Sequence, residues 1–448
     1  MREFFRIAFL GAVLAGATET TALANPEPPA TYDSRVAGMG GIALTTVDNA
    51  AAVYHNPAQL DQVGRFTATF VLTTLLVNLE APFAGPGTEQ ESGIIVAPLF
   101  FVGAAGEIVE DVALGFAAYV YTGFGGGFSD VGCISYRSAV GGAHPDCDNP
   151  EYRGLLVPPR DQSVRLFVTE LALSAQVSLA PNLSLGASLR IPWAQQTVSA
   201  AQEAFGVFAN AEQNVSGVGQ PGVLLGLTYR PTRDFSIAAA YRSKVSIEMS
   251  GTTDTEVSGT PLLLQTTTAW QVPHMFRVGV SHTFLQQRLL LAAEFKVQMH
   301  SQANQTQVFV STGDLDNRTV ADLKWKNAYV GTLGAEFILR RGMPIRLGMT
   351  IGRSATNAET MTSFSPPPGV QYGFYGGIGF HAEPMTLDLG IGWGGGPAHQ
   401  QREASAYCVP ESERPRAQPG DLVAGGGCPG RYDVDSWFVS VSATVDIE

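Results

Sequence analysis

From about residue 64 onward the chain alternates apolar and polar positions, over and over. Leu183, Leu185, Ala187, Leu189 and Ile191 fall on one face, and Ser184, Gly186, Ser188 and Arg190 on the other. Leu171–Leu179 repeats the pattern with Ala172, Ser174, Gln176 and Ser178 on its polar side. Met385–Trp393 sets Leu387, Leu389, Ile391 and Trp393 against Thr386, Asp388, Gly390 and Gly392. Trp437–Ile447 sets Val439, Val441 and Val445 against Ser440, Ser442 and Thr444. Side chains of a strand point alternately to opposite sides, so period 2 with one apolar face predicts strands. They are predicted near 64–79, 93–105, 111–128, 163–180, 183–199, 219–230, 235–251, 269–284, 288–307, 325–339, 345–358, 371–382, 385–397 and 434–447. That is about fourteen, an even number, as a single-chain outer-membrane barrel requires. Pro181-Asn182, Pro231–Asp234, Gln286-Gln287, Arg340–Pro344 and Glu383-Pro384 are predicted short turns. Thr253–Thr268, Ser311–Asp322 and Ala200–Val218 are expected loops at the other end.

One stretch breaks this pattern. Ser34–Leu60 carries Gly38, Gly40 and Gly41 close together, where backbone can approach backbone. Ala50, Ala51 and Ala52 favour a short helix over Asn49–Tyr54, with Asp48 as the expected N-cap. Asn56-Pro57 ends it, because a residue before proline is pushed out of the α region. The expectation is a compact plug of small side chains.

Composition narrows the class. Charged residues are 15%, against roughly 25% in an average soluble chain. There are 50 glycines, and mean hydropathy is only +0.09. Low charge, many glycines and moderate hydropathy suit a barrel with an apolar outside and a polar lumen. A net charge of −13 argues against nucleic acid as a partner. Met1–Ala24 has a positive start at Arg2 and Arg6, an apolar stretch at Ile7–Ala17 and a small-x-small end at Ala22–Ala24, the form of an export signal. No later stretch has the roughly 20 apolar residues of a spanning helix, so any membrane crossing is by strands in a closed sheet.

Four cysteines fit an oxidising compartment. Local pairing, Cys133 with Cys147 and Cys408 with Cys428, is the simplest of three connectivities. No metal-ligand spacing, Gly-x-Ser-x-Gly elbow or phosphate loop is present, so no enzyme, cofactor or metal is expected. By parity Arg190, Glu294, Lys296, Lys326, Glu336 and Asp388 point inward, and paired charges holding the interior together is the ordinary fate of such residues. Gly123, Gly125, Gly126 and Gly127, in the run GFGGGF, end the third strand, and clustered glycines mark bulges or kinks.

The plug resembles the N-terminal hatch of the FadL/TodX-like outer-membrane transporters. The matching residues are Gly38, Gly40, Gly41, Asp48, Asn56, Pro57 and Ala58. Tyr241–Val245, Gln271–Pro273 and Lys326–Gly334 resemble that family's later strands. The resemblance implies a signal (1–24), a hatch (25–62) and a barrel (63–448) of about fourteen strands in the bacterial outer membrane. It implies passive uptake of hydrophobic small molecules, long-chain fatty acids or hydrocarbons, with lateral exit into lipid at a kink formed by the glycines at 123–127. It also implies outer-membrane lipid and the barrel-assembly machinery as partners. Lys326 falls where the family places a basic residue near its ligand; with the inward Arg190 it makes up the ligand-binding candidates. The aligned position of that family's partner arginine, Gln195–Val198, is uncharged. The alternative is a barrel acting as scaffold or shuttle in protein export, since such proteins carry similar hatches.

Overall fold

The computed structural model describes residues 32–83, 89–131, 160–204, 207–257, 260–303, 305–314, 316–339, 342–402, 408, 414–416, 418–419, 421–424 and 427–447. The expected signal and the pair Cys133 and Cys147 lie outside the described residues.

The sheet begins with β1 (Phe66–Pro82), a short β2 (Glu89–Glu91), β3 (Ile95–Val109), β4 (Val112–Val131), β5 (Arg160–Ala180) and β6 (Leu183–Ala204). Five wall strands follow, each broken into two segments. They are β7 (Val207–Val218) with β8 (Gly222–Thr232), β9 (Phe235–Arg242) with β10 (Val245–Val257), and β11 (Thr260–Val272) with β12 (Met275–Phe284). The last two are β13 (Leu289–Gln298) with β14 (Thr306–Gly313), and β15 (Asn317–Asp322) with β16 (Ala328–Ile338). Then come β17 (Pro344–Arg353), β18 (Val370–Ala382), β19 (Met385–Gly395), the short β20 (His399–Gln401) and β21 (Leu422–Val423), and β22 (Gly430–Ile447). β22 pairs with β19 on one side and β1 on the other, with Phe66 opposite Ile447. The sheet therefore closes into an antiparallel barrel of 14 strands, as the alternation predicts.

The breaks carry information. Pro221 and Pro273 lack an N–H for the ladder, and both stand at breaks. Polarity changes there too. Below the breaks, β8 and β12 expose Val223, Leu225, Leu227, Phe276, Val278 and Val280. Above them, most outward positions of β7, β10 and β11 are polar, among them Glu212, Asn214, Glu248, Ser250, Asp254, Gln265 and Thr267, with Val218 and Leu263 the large apolar exceptions. The lower segments are 8–11 residues long, close to the roughly 9–11 that span a bilayer. Trp193, Phe276, Tyr329, Tyr372 and Trp437 are exposed near this level, as an interfacial girdle requires. The breaks thus mark the outer surface of the membrane, and the upper segments stand in water.

This corrects three sequence expectations. Ala200–Val218, Thr253–Thr268 and Ser311–Asp322 are not loops. They form the hairpins β6–β7, β10–β11 and β14–β15, with Ala204 opposite Val207, Val257 opposite Thr260, and Ser311 opposite Asn317. Outside the bilayer a strand needs no apolar outer face, so the alternation that marks the lipid-embedded parts fades. Cys408 and Cys428 are bridged, as local pairing predicts. Their loop supplies β21, which runs parallel to β15.

Candidate functional site

The lumen is filled from one end by the chain before β1. The start of β1 and the short turns lie at that end, the periplasmic one in such barrels. The helix Ser34–Gly38 is capped by Asp33, whose carboxylate accepts from the amides of Arg35 and Val36. A second turn of helix, Ala52–His55, leads into a 3₁₀ turn, Pro57–Gln62. Asp48 is not the N-cap expected from the sequence. The second helix starts later than predicted, with Ala51 at its N-cap, and Asp48 instead pairs with Arg35 at 2.5 Å. The amide of Ala51 is met by Asn49 Oδ1.

Asn56 is the polar pivot. It is extended, and its Oδ1 accepts from the amide of Ala58. Its Nδ2 donates to Leu44 O at 2.8 Å and to Thr228 Oγ1 of β8 at 3.0 Å. The wall makes room with glycines. A Cβ on Gly226 would overlap Asn56 Oδ1, and one on Gly186 would overlap the backbone of Pro57 and Ala58. On the far side Gly348 receives the backbone of Met39 and Gly40, and Gly38 stacks on Gly377. Gly40 and Gly41 take positive φ of 74° and 100°. Gly186, Gly226 and Gly348 are close-approach positions for the hatch that sequence reading did not single out. The available signal was glycine at inward parity, as Gly186 shows in its own strand.

Ion pairs tie this hatch to the wall. Arg35 reaches Glu336 at 2.9 Å, and Glu336 is shared with Arg346, which also pairs with Asp388 at 2.5 Å. Glu294 accepts from the amides of Ala43 and Leu44 and is held by Arg277. Arg230 pairs with Asp61 at 2.5 Å and Ser184 hydrogen-bonds the same carboxylate. Glu294, Glu336 and Asp388 are buried, as their parity predicts, and they hold structure together.

Arg190 is fully buried. It pairs with Glu170 at 2.8 Å and donates to Ser243 O at 2.8 Å. Glu170 is shared with Arg242 and accepts from the Tyr119 hydroxyl at 2.8 Å. Lys326 lies elsewhere, in the break between β15 and β16, and is exposed. Its neighbour Trp325 packs instead against the lumen cluster, 5.6 Å from Trp270. The structure therefore does not bring Arg190 and Lys326 into one contact.

The wall has a seam. β3 and β4 pair from Val109 opposite Val112 up to Phe101 opposite Tyr119, and no further. Among the described residues β3 continues to Ile95 paired only with β1, and β4 continues to Val131 paired only with β5. Bulges flank the glycine run on β4, between Val120 and Thr122 and between Phe128 and Val131. The glycines themselves stay in register with β5, Gly123 opposite Phe167 and Gly127 opposite Ser163. Val96 and Phe100, on the free edge of β3, face outward and are exposed, so the seam opens within the apolar band. Behind it lies a buried apolar cluster with Leu79, Leu99, Phe128 and Val131, against which Phe364 packs.

A closed barrel with a tethered hatch and an interrupted wall is an outer-membrane transport barrel. The family model for the outer membrane protein transport proteins, OMPP1/FadL/TodX, matches residues 158–444, and the chain belongs to that family. Its place is the outer membrane and its work is transport. A FadL homologue of Pseudomonas aeruginosa superposes with TM-score 0.72 at 16% identity, over 95% of this chain and 100% of that one. The toluene transporter TbuX of Ralstonia pickettii gives 0.68 at 17%, over 94% and 100%. The toluene transporter TodX of P. putida gives 0.69 at 16%, over 94% and 99%. No curated protein matches the chain.

Proposed function

We propose that this barrel takes up long-chain fatty acids or hydrocarbons by passive diffusion and releases them sideways into lipid through the seam between β3 and β4. The observation that carries the reading is that seam. Unpaired strand edges in a bilayer cost several kcal/mol per buried polar group, so an interrupted ladder inside the apolar band needs a compensating use. The hatch, tied by Arg35, Asn56 and Asp61, blocks the axial route. An apolar molecule arriving from outside then meets Trp270 and Met249 in the lumen and the cluster around Phe128 behind the seam. Lys326, exposed above the membrane level, is the proposed first contact for an anionic head group. A role as scaffold or shuttle in protein export finds no specific observation in its favour.

The test is steric. A side chain at Gly126 would meet Leu79 Cδ1 at 2.8 Å and Phe364 Cδ1 at 3.2 Å, both movable ends. Gly126→Leu fills the inner mouth of the seam and is expected to cut uptake of a labelled hydrocarbon at least tenfold in a folded barrel. Gly127→Val, with only Ser163 Cβ at 3.7 Å, is the control and keeps uptake. Equal uptake by both variants overturns lateral release. Gly125 is unsuitable, because its Cβ would overlap the β5 backbone at Val164.

A further inference from the structure

The upper barrel carries a hydrogen bond that its strand order does not explain. Gln307 of β14 donates from Nε2 to Gln196 Oε1 of β6 at 2.7 Å, and to Thr268 Oγ1 of β11 at 3.3 Å. β6 and β14 are not neighbours. The wall runs β6, β7, β10, β11, β14, so four strand spacings, about 19 Å of sheet, separate them. One pair of glutamine side chains closes that distance. The sheet therefore curls until its inner faces meet, and the bond crosses the lumen. All three side chains are buried.

This clasp sits where the lining changes. Ala194, Val215 and Trp270 belong to the apolar lumen cluster. The next inward residue above each is polar: Gln196 on β6, Gln213 on β7 and Thr268 on β11. Higher still, Thr266 hydrogen-bonds Thr253 at 2.7 Å and Ser311 at 2.9 Å. Leu264 and Phe309 share the inward parity of this level, and none of its described inward residues on these five strands is charged. Gln213 is buried, and its Nε2 has no hydrogen-bond partner among the described residues. Gln196 stands opposite Val215, so Gln213 is its diagonal neighbour on the same face, within reach of a long side chain. A buried amide donor left bare is destabilising, and a ligand oxygen placed between the two glutamines satisfies it.

We propose that Gln196, Gln213 and Gln307 form an entry gate that takes the oxygen of a neutral hydrophobic molecule, an alcohol or a phenol. The proposal rests on the transport reading and adds a substrate class to it. The ligand oxygen accepts from Gln213 Nε2, and its O–H donates to Gln196 Oε1 in place of Gln307. One hydrogen bond is thus exchanged for another, Gln307 keeps Thr268, and Gln213 gains the partner it lacks. The apolar body then enters the cluster at Trp270 and Met249. A hydrocarbon of the same shape offers no exchange and parts the two amides without compensation. A fatty acid fits this uncharged level as the protonated acid, which carries the same O–H.

The test compares uptake of labelled 4-butylphenol and butylbenzene, which share an apolar body, by cells carrying the full-length barrel, each corrected for cells without it. Wild type is expected to take up butylphenol at least tenfold faster. Gln213→Leu is expected to erase that preference by slowing butylphenol alone. Gln307→Leu, which breaks the clasp and leaves Gln213, is expected to speed butylbenzene at least threefold; this arm stands even if Gln213→Leu does not fold. Asn214→Leu, one residue along on the outward face of β7, is the control and keeps the wild-type ratio. Equal wild-type uptake of both molecules, a preference kept in folded Gln213→Leu, or unchanged butylbenzene uptake in folded Gln307→Leu overturns the gate and leaves transport intact. Uptake of neither molecule above background overturns the transport reading with it.

Discussion

At Asn56 a single amide side chain fixes three things: its own turn through Ala58, the preceding hatch segment through Leu44, and the wall through Thr228. The wall glycines are the other half of that fit. Gly226→Ala puts a methyl where Asn56 Oδ1 stands, so it is expected to unseat the hatch without unfolding the barrel. The measurement is single-channel conductance, which should rise over wild type; an unchanged value would show that the hatch can shift to absorb the methyl. Asp33 offers a second check. Burial first, and then the Asp388 carboxylate, push its carboxyl up from 3.8 to about 6, against the Asn49 hydrogen bond. The folded value lies above the unfolded one, so stabilisation by the neutral acid is complete below the unfolded value and is lost as pH rises through the folded one. Protection of the Val36–Gly38 amides from exchange, corrected for intrinsic rates, should therefore fall between about pH 5 and pH 7. Equal protection across that range would assign Asp33 a plain capping role. The sequence made Asn56 and Pro57 legible because proline geometry is local. It misassigned Asp48 because the choice of cap depends on where the helix starts, and that is set by packing against the wall.

The strands show the same division between local and non-local signals. Alternation reported the lipid-embedded segments well, since lipid enforces an apolar outer face on every second residue. It failed for β7 and β15 and for the upper parts of β10, β11 and β14, where most outward residues are polar and the pattern no longer reports a strand. It also could not show that strands break at one common height, because that is a relation between strands. Spin labels placed singly at Leu225 on β8 and Glu248 on β10 test the boundary. Leu225 should be accessible to oxygen and shielded from a polar nickel reagent, and Glu248 the reverse. Both residues behaving alike would move the membrane surface away from the breaks. The Cys408–Cys428 bridge belongs to this scale too. It fastens the loop that supplies β21, which Arg318 also holds through Asp421 at 2.5 Å. Reduction is expected to raise proteolytic nicking within that loop while the barrel below stays intact by heat-modifiability, because the bridge lies outside the spanning segments.

For the whole molecule, the hatch, the lumen and the seam make sense only together. The segment before β1 is tied to the wall by ion pairs on several sides, the lumen carries an apolar cluster, and the β3–β4 ladder stops at Phe101 opposite Tyr119. The glycine run lies on β4, which borders the seam, and it does not itself lose its pairing. Gly123–Gly127 keep their register with β5, and the missing partner is β3 on the other side. A single sequence contains no trace of that vacancy, since Ile95–Phe100 reads as ordinary strand. The most direct measurement is photolabelling during transport with an apolar diazirine probe, followed by mapping of the modified peptides. Lateral release predicts label on Leu79, Leu99 and Phe128 and on the free edge at Val96 and Phe100. Label running instead along the hatch, from Tyr54 to Asp61, would contradict it.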